Sequence, residues 1–216
     1  MSVHTTAIEK ELNLADLIAG VERPDFNVIS AWVPQGAHVL DLGCGDGSLL
    51  HKLRTERDIT GYGVELKDSN VQACISKGLN VLQQDLEQGL TWFEDNSFDV
   101  AILSLTLQAV HKTEEMLREI VRVGKTAIVS IPNFGYWPHR LSVLKGRMPV
   151  SKTLPYQWYN TPNVRVLTIP DFIQLAHDVG TQVLEQVVLR DDKVIRFAPN
   201  ARGSLAVFKL YKDIQK

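Results

Sequence analysis

The chain has 216 residues, 44% hydrophobic and 22% charged, with a formal net charge of −2. That composition suits one sizeable globular core, leaves no room for a long disordered arm and argues against general nucleic-acid binding. Two cysteines, Cys44 and Cys74, are too few for a disulfide framework or a metal knuckle, no apolar run approaches the roughly 20 residues that span a bilayer, and the first residues lack the apolar stretch of a secretion signal, so a cytoplasmic protein without metal or membrane anchor is expected.

Residues 38–42 form a short apolar run that ends at Gly43, and Leu49, Leu50 and Leu53 then recur at helical spacing from Ser48 onward. These are the first strand and helix of an alternating series. Residues 59–65 read as a second strand, Asp68 or Ser69 as the cap of a helix holding Val71, Cys74 and Ile75, and Gly78 as its stop. Residues 80–85 give a third strand. The nearly unbroken apolar run at 98–105 is expected for a strand buried on both faces, central in the sheet. Thr113 is placed to cap a helix with Met116, Leu117, Ile120 and Val121 inward and Gly124 at its end, before a fifth strand at 126–131 that Pro132 closes. Residues 133–167 show no clean period and exceed an ordinary connection in length, which marks a functional insertion. Thr168 and Asp171 have capping-box spacing ahead of a stripe of Phe172, Leu175, Ala176 and Val179. Strands at 182–189 and 204–210 should pair antiparallel at the sheet edge. The expected fold is therefore α/β and Rossmann-like, a mostly parallel seven-stranded sheet with helices on both faces. Residues 1–22 are expected as an N-terminal extension to a single domain spanning 23–216.

The chemistry concentrates at residues 39–47, Val-Leu-Asp-Leu-Gly-Cys-Gly-Asp-Gly, where a buried strand meets a helix through Gly43, Gly45 and Gly47. A dinucleotide fingerprint spaces its glycines as G-x-G-x-x-G and seats a pyrophosphate on the helix N-terminus. Here the spacing is G-x-G-x-G and Asp41 and Asp46 would repel a pyrophosphate, whereas they favour a ligand carrying an amine and a sulfonium. These residues resemble motif I of the class I S-adenosylmethionine-dependent methyltransferase fold. S-adenosylmethionine or S-adenosylhomocysteine is the ligand this implies, with Glu65 on the ribose, Asp85 and Leu86 at the adenine, and Leu66 and Ser104 completing the set with Asp41. A ligand-free tight turn, with Asp41 as a buried cap and Glu65 and Asp85 as strand-end turn formers, is the alternative. Cys44 and Cys74 read as packing residues.

Signals for transfer chemistry are weaker. After the fourth strand, where N-methyltransferases often carry Asn/Asp-Pro-Pro-Tyr/Phe, the chain reads Ser104-Leu-Thr-Leu-Gln-Ala-Val-His111. His111 is a weak candidate for a general base, or else a solvated loop residue. From 120 to 170 there is no Asp or Glu, but Arg122, Lys125, Arg140, Lys145, Arg147, Lys152 and Arg165 give +7, so the remainder sums to −9. The insertion adds Phe134, Tyr136, Trp137, Tyr156, Trp158 and Tyr159. Aromatic and arginine residues together mark either an interface for an acidic partner or a lid over the domain's own core.

Taken together, the chain resembles the MetW family of methionine biosynthesis proteins. The blocks that carry the resemblance are 39–47, Gly-Tyr-Gly-Val-Glu (61–65), Gln84-Asp85-Leu86, Leu-Ser-Leu-Thr-Leu-Gln-Ala (103–109), Val-Ser-Ile-Pro-Asn-Phe-Gly (129–135), Gly-Arg-Met-Pro-Val (146–150) and Leu-Pro-Tyr-Gln-Trp-Tyr-Asn-Thr-Pro-Asn (154–163). The chain departs from the family pattern in Val-Arg-Val-Leu-Thr (164–168) and in carrying His rather than Arg at 111. The resemblance implies a methyltransferase-like, non-acylating partner of homoserine O-acyltransferase that senses S-adenosylmethionine. Tyr136, Trp137, Arg140, Arg147, Tyr156, Trp158 and Tyr159 are the partner-binding residues expected. Methylation of an unidentified small molecule is the alternative function.

Overall fold

Side-chain alternation along the strands decides the architecture, seen in a computed structural model that describes residues 23–191 and 193–212. The expected extension at 1–22 lies outside the described residues. Parallel strands β1 (His38–Leu42), β2 (Thr60–Glu65), β3 (Val81–Gln83), β4 (Phe98–Ser104) and β5 (Gly124–Pro132) are followed by β6 (Thr181–Arg190), β7 (Lys193–Val194) and β8 (Leu205–Lys212) in one sheet of order β3-β2-β1-β4-β5-β8-β6-β7. The helices are α1 (Pro24–Trp32), α2 (Ser48–Arg57), α3 (Asp68–Ser76), α4 (Thr113–Val123), α5 (Trp137–Leu144), α6 (Ile169–Asp178) and α7 (Pro199–Arg202).

Val39, Val100, Ile102, Ile128 and Val207 face one side, where Ile29 of α1, Leu49, Leu50 and Leu53 of α2 and Cys74 of α3 cover them. Their neighbours Leu40, Leu42, Ala101, Leu103, Ala127, Val129, Ala206 and Phe208 face the other, under Met116, Leu117 and Ile120 of α4 and Phe172 and Ala176 of α6. A strand with both faces covered must be apolar at successive positions, which is why β4 reads Phe-Asp-Val-Ala-Ile-Leu-Ser. The helices thus form two layers with the sheet between them.

Several expectations change in detail. The sheet has eight strands rather than seven, because Lys193 and Val194 pair antiparallel with the end of β6, a contact too short to leave a sequence pattern. The antiparallel pair expected at the sheet edge is present, with β8 on its inner side between β5 and β6 and antiparallel to both. Thr113 does not cap α4, since Lys112 holds the cap position and the Thr113 hydroxyl donates to Val110 O at 2.9 Å. Lys67 likewise precedes α3, which starts at Asp68 without a side-chain cap. The capping box at Thr168 is present, with its backbone N–H donating to Asp171 Oδ2 at 2.9 Å. Besides the four-residue α7, two helices, α1 and α5, have no counterpart among the expected elements. Each opens on a proline in its first turn, a favoured position, but α1 buries only Asp25, Ile29 and Ser30 and α5 only His139. No apolar stripe announced either.

Helix α6 meets the sheet through Phe172 against Phe208 of β8, both fully buried with ring centroids 4.3 Å apart. Phe172→Ala should destabilise the fold by about 3–5 kcal/mol. The expected reading is a lower urea midpoint at an unchanged m-value.

Candidate functional site

The loop between β1 and α2 is stitched to the neighbouring strand, with Gly43 N and Cys44 N both donating to Val64 O at 2.8 and 3.1 Å. Gly43 has φ +70 and packs so closely on Thr106 that an added Cβ would stand 2.5 Å from its Cγ2. Gly45, at φ +56, differs: a Cβ there would meet nothing within 4 Å. A left-handed backbone that borders open space suits close approach by a ligand. Gly47 supplies the N-cap of α2.

Glu65 ends β2 and gathers the loop amides, taking Gly45 N on Oε2 at 2.9 Å and Leu66 N and Lys67 N on Oε1 at 3.0 and 2.9 Å. A carboxylate has about four lone-pair sites, so Oε2 retains one for a further donor. Leu66 beside it is 60% exposed, an apolar surface at the mouth of the loop. Asp85 follows β3 and accepts from Glu87 N at 2.9 Å, capping the 3-10 turn Leu86–Gln88. Asp85 and Leu86 are half-buried. Asp41, Glu65 and Asp85 thus stand at or just beyond the carboxyl ends of three adjacent parallel strands, where ligands of open α/β sheets bind. Asp46 is committed elsewhere: Lys77 Nζ donates to it at 2.7 Å and Ser48 Oγ at 2.7 Å, which hold its carboxyl below the usual range against the opposing effect of burial. Cys44 and Cys74 are buried with their sulfurs 3.8 Å apart, and burial pushes both thiols up, as fits packing residues.

Beneath the loop lies a polar cluster that the sequence reading did not assemble. Arg23 donates through Nε and Nη2 to the fully buried Asp25 at 2.9 and 2.7 Å, while Ser104 Oγ and Ser130 Oγ donate to Asp25 Oδ2 at 2.7 and 2.9 Å. Burial alone would raise the Asp25 pKa, but Arg23 and the two hydroxyls bring it below the ordinary value. The Ser104 hydroxyl, expected at the cofactor, also accepts from Arg23 Nη2 at 2.8 Å and so belongs to this cluster. Asp41 is buried close by. Burial pushes it up to about 7, with Arg23 opposing and Glu65 and Asp25 adding to the rise. The only sequence sign of this cluster is Arg23-Pro24-Asp25, an arginine two residues ahead of an acid at a helix start.

His111 is exposed on the loop before α4, its Nδ1 3.3 Å from Glu87 Oε1 and its backbone N–H donating to the same oxygen at 2.5 Å. Its ring is thus paired with a surface carboxylate. Residues 133–167 carry α5 and then an extended path with a bridge between Ser151 and Leu154. Trp137, Trp158 and Tyr159 are 52%, 72% and 69% exposed, and Arg140 and Arg147 are exposed beside them in sequence. Tyr136 and Tyr156 are half-buried. Sequence reasoning missed what pins this segment. His139 is buried, with Nδ1 3.1 Å from the Asn133 carbonyl and Nε2 3.0 Å from Ser151 Oγ, and burial lowers its pKa. A carbonyl can only accept, so Nδ1 carries the proton of a neutral ring and Ser151 donates to Nε2.

Among the described residues no group of three or more His, Cys, Asp or Glu is placed to hold a metal ion, and no helix is long and apolar enough to cross a membrane. The fold has close counterparts among solved structures. An S-adenosylmethionine-dependent methyltransferase from Archaeoglobus fulgidus superposes with a TM-score of 0.68 at 13% identity, covering 94% of this chain and 99% of that one. One from Thermotoga maritima, described as a possible histamine N-methyltransferase, gives 0.66 at 18% identity and 96% of both chains. The class I methyltransferase-like fold is therefore that of this chain. In sequence, a bifunctional methionine biosynthesis protein MetXA/MetW of Rhodopirellula baltica is 37% identical over 195 residues, covering 84% of this chain and 31% of its own length. This chain spans about a third of that relative. Residues 23–210 match the family described as methionine biosynthesis protein MetW, and on that match, nearly the whole described fold, the chain belongs to the MetW family of methionine biosynthesis.

Proposed function

We propose that the chain binds S-adenosylmethionine or S-adenosylhomocysteine on the glycine loop and serves as the non-acylating companion of a homoserine O-acyltransferase. The observation that carries this reading is the Rhodopirellula baltica relative, whose name joins MetXA and MetW in one bifunctional protein. A shared polypeptide keeps two functions at high mutual concentration, and separate chains reach the same state through an interface. The ligand half rests on the open backbone at Gly45, the spare lone pair of Glu65 for a ribose hydroxyl, and Leu66, Asp85 and Leu86 around an adenine. When bound, S-adenosylmethionine supplies an electrophilic methyl group. The turn after β4 offers Ser104-Leu-Thr-Leu-Gln-Ala rather than an acceptor-holding Asn-Pro-Pro-Tyr, so in this reading the ligand is a signal of the downstream methyl-donor supply.

Calorimetry with S-adenosylhomocysteine tests the ligand half. Glu65→Gln should weaken binding by about 1.5–3 kcal/mol, roughly tenfold or more. Absence of both heat and thermal shift with wild type would sink it. Asp41 gives a second reading. A carboxyl that ionises near 7 is largely protonated at pH 6 and ionised at pH 8, and a cationic ligand beside it favours the ionised form. By linkage, affinity for S-adenosylmethionine should rise from pH 6 to pH 8. Asp41→Asn should flatten that slope, and S-adenosylhomocysteine, which lacks the sulfonium, should show less of it.

The partner half rests on Trp137, Trp158 and Tyr159, exposed aromatics on an acid-free segment, and on Arg147, which makes no ion pair among the described residues. Large rigid aromatics bury much area at little entropy cost and dominate interfaces. Trp158→Ala should cost roughly 2 kcal/mol or more of association with the acyltransferase, Arg147→Glu should slow it, and added salt should slow the wild type as screening shortens to about 8 Å. Folded variants that bind and activate the acyltransferase like wild type would move the interface elsewhere.

A further inference from the structure

A cavity of about 290 Å³ opens at the carboxyl edge of the sheet on the α1 side, lined by Arg23, Pro24, Leu105, Tyr136, Ser204 and Leu205 together with 151–153, Arg190 and Asp191. We propose that it binds a small carboxylate with a short aliphatic chain. The first argument is charge. Asp25 neutralises Arg23 and Asp191 stands 3.7 Å from Lys152, which leaves Arg190 without an ion pair among the described residues. The described lining residues, taken with Asp25, therefore carry one surplus positive charge, enough for a monoanion.

The second argument is the supply of donors. Arg23 spends Nε and Nη2 on Asp25 and Ser104, while Nη1 makes no hydrogen bond among the described residues and has two protons to offer a ligand. The Ser151 hydroxyl is already committed to the neutral His139, and Ser204 and Tyr136 add hydroxyls at the wall. Guanidinium donors matched to a planar acceptor favour a carboxylate. The remaining wall, Pro24, Leu105 and Leu205, is apolar and suits a few methylene groups rather than a polyanion. Leu105 is also held at φ +51, a costly conformation for a non-glycine residue, by N–H bonds to Ser130 O and Oγ at 3.1 and 3.0 Å. Backbone strain of this kind persists where the surroundings fix it and concentrates at ligand sites.

The test uses the full chain without cofactor or acyltransferase, so its outcome is independent of the function proposed above. Butyrate is titrated at millimolar concentration against labelled protein, with butylamine as the cationic counterpart of similar length. Saturable amide shifts at Leu105, Ser151, Thr153 and Ser204 with butyrate, and none with butylamine, are expected. Arg190→Gln, checked for an unchanged melting temperature, should weaken butyrate roughly tenfold, the loss of one charged hydrogen-bonding partner. Equal response to butylamine, no saturable shift at those amides, or undiminished binding by folded Arg190→Gln would each overturn the proposal. If that variant fails to fold, the contrast between butyrate and butylamine on wild type still decides it.

Discussion

A carboxylate removed from water is tolerated only when it is paired and hydrogen-bonded, and Asp25 imposes that condition on the functional end of this molecule. Its partners come from three places: Arg23 just ahead of α1, Ser104 at the end of β4 and Ser130 in β5. Because breaking a buried pair typically costs about 3–5 kcal/mol, α1 is locked over the carboxyl ends of the two central strands. Ser130 then reaches on to the amide of Leu105 and holds its unusual backbone. Arg23 serves twice, since it also opposes the rise in the Asp41 pKa and forms a wall of the cavity beside it.

The charge asymmetry of the sequence becomes sharper in space. Arg122 is bound to Glu119 and Asp95, Lys125 to Asp99, and Lys152 lies near Asp191. Arg165 donates to the His111 carbonyl at 2.7 Å. Arg140 of α5 donates to the Gly135 carbonyl at 2.6 Å, and Lys145 and Arg147 immediately after α5 have no side-chain partner among the described residues, while Asp41, Glu65 and Asp85 stand at the carboxyl ends of three adjacent strands. Each sign is therefore concentrated where the ligand proposed for it would need the opposite charge.

The long strands, four of the helices and the glycine loop were legible because each depends on a local signal. The continuous apolar runs of β4 and β5, the stripe of α6 with its Thr168–Asp171 box, and three glycines between β1 and α2 are readable over fewer than a dozen residues. Spacing singled out Glu65 as a ribose contact, and in the structure its carboxylate accepts from the Gly45 amide. The Asp25 cluster was not, since its members are separated by 79 and 105 positions and nothing local marks Ser104 or Ser130 as its partners. The cap positions of α3 and α4 differ by a single residue from the expected ones, a scale on which helix ends are set by tertiary fit. His139 escaped notice for another reason: it looks like any surface histidine in a basic segment, and only its burial against Asn133 and Ser151 gives it a role.

These anchors also decide whether residues 133–167 form a loose lid. Phe134 N donates to Leu167 O at 3.1 Å and closes the base of the segment, Asn133 Nδ2 donates to the carbonyls of Asn200 and Gly203 at 2.8 Å, and His139 ties α5 to Ser151. Further along, Val164 N and Arg165 N both donate to Gln108 O at 2.9 and 3.0 Å, in the turn after β4. Thr106 of the same turn packs against Gly43. A continuous set of contacts therefore runs from the glycine loop through Thr106 and Gln108 to the exposed segment, with no flexible linker between. Coupling between two sites requires that a ligand at one favour a particular arrangement at the other. In the function proposed here, a ligand seated on Gly45 would act on the partner surface by pressing on the turn that carries it, and the tight fit of Thr106 on Gly43 is the contact through which that pressure would pass.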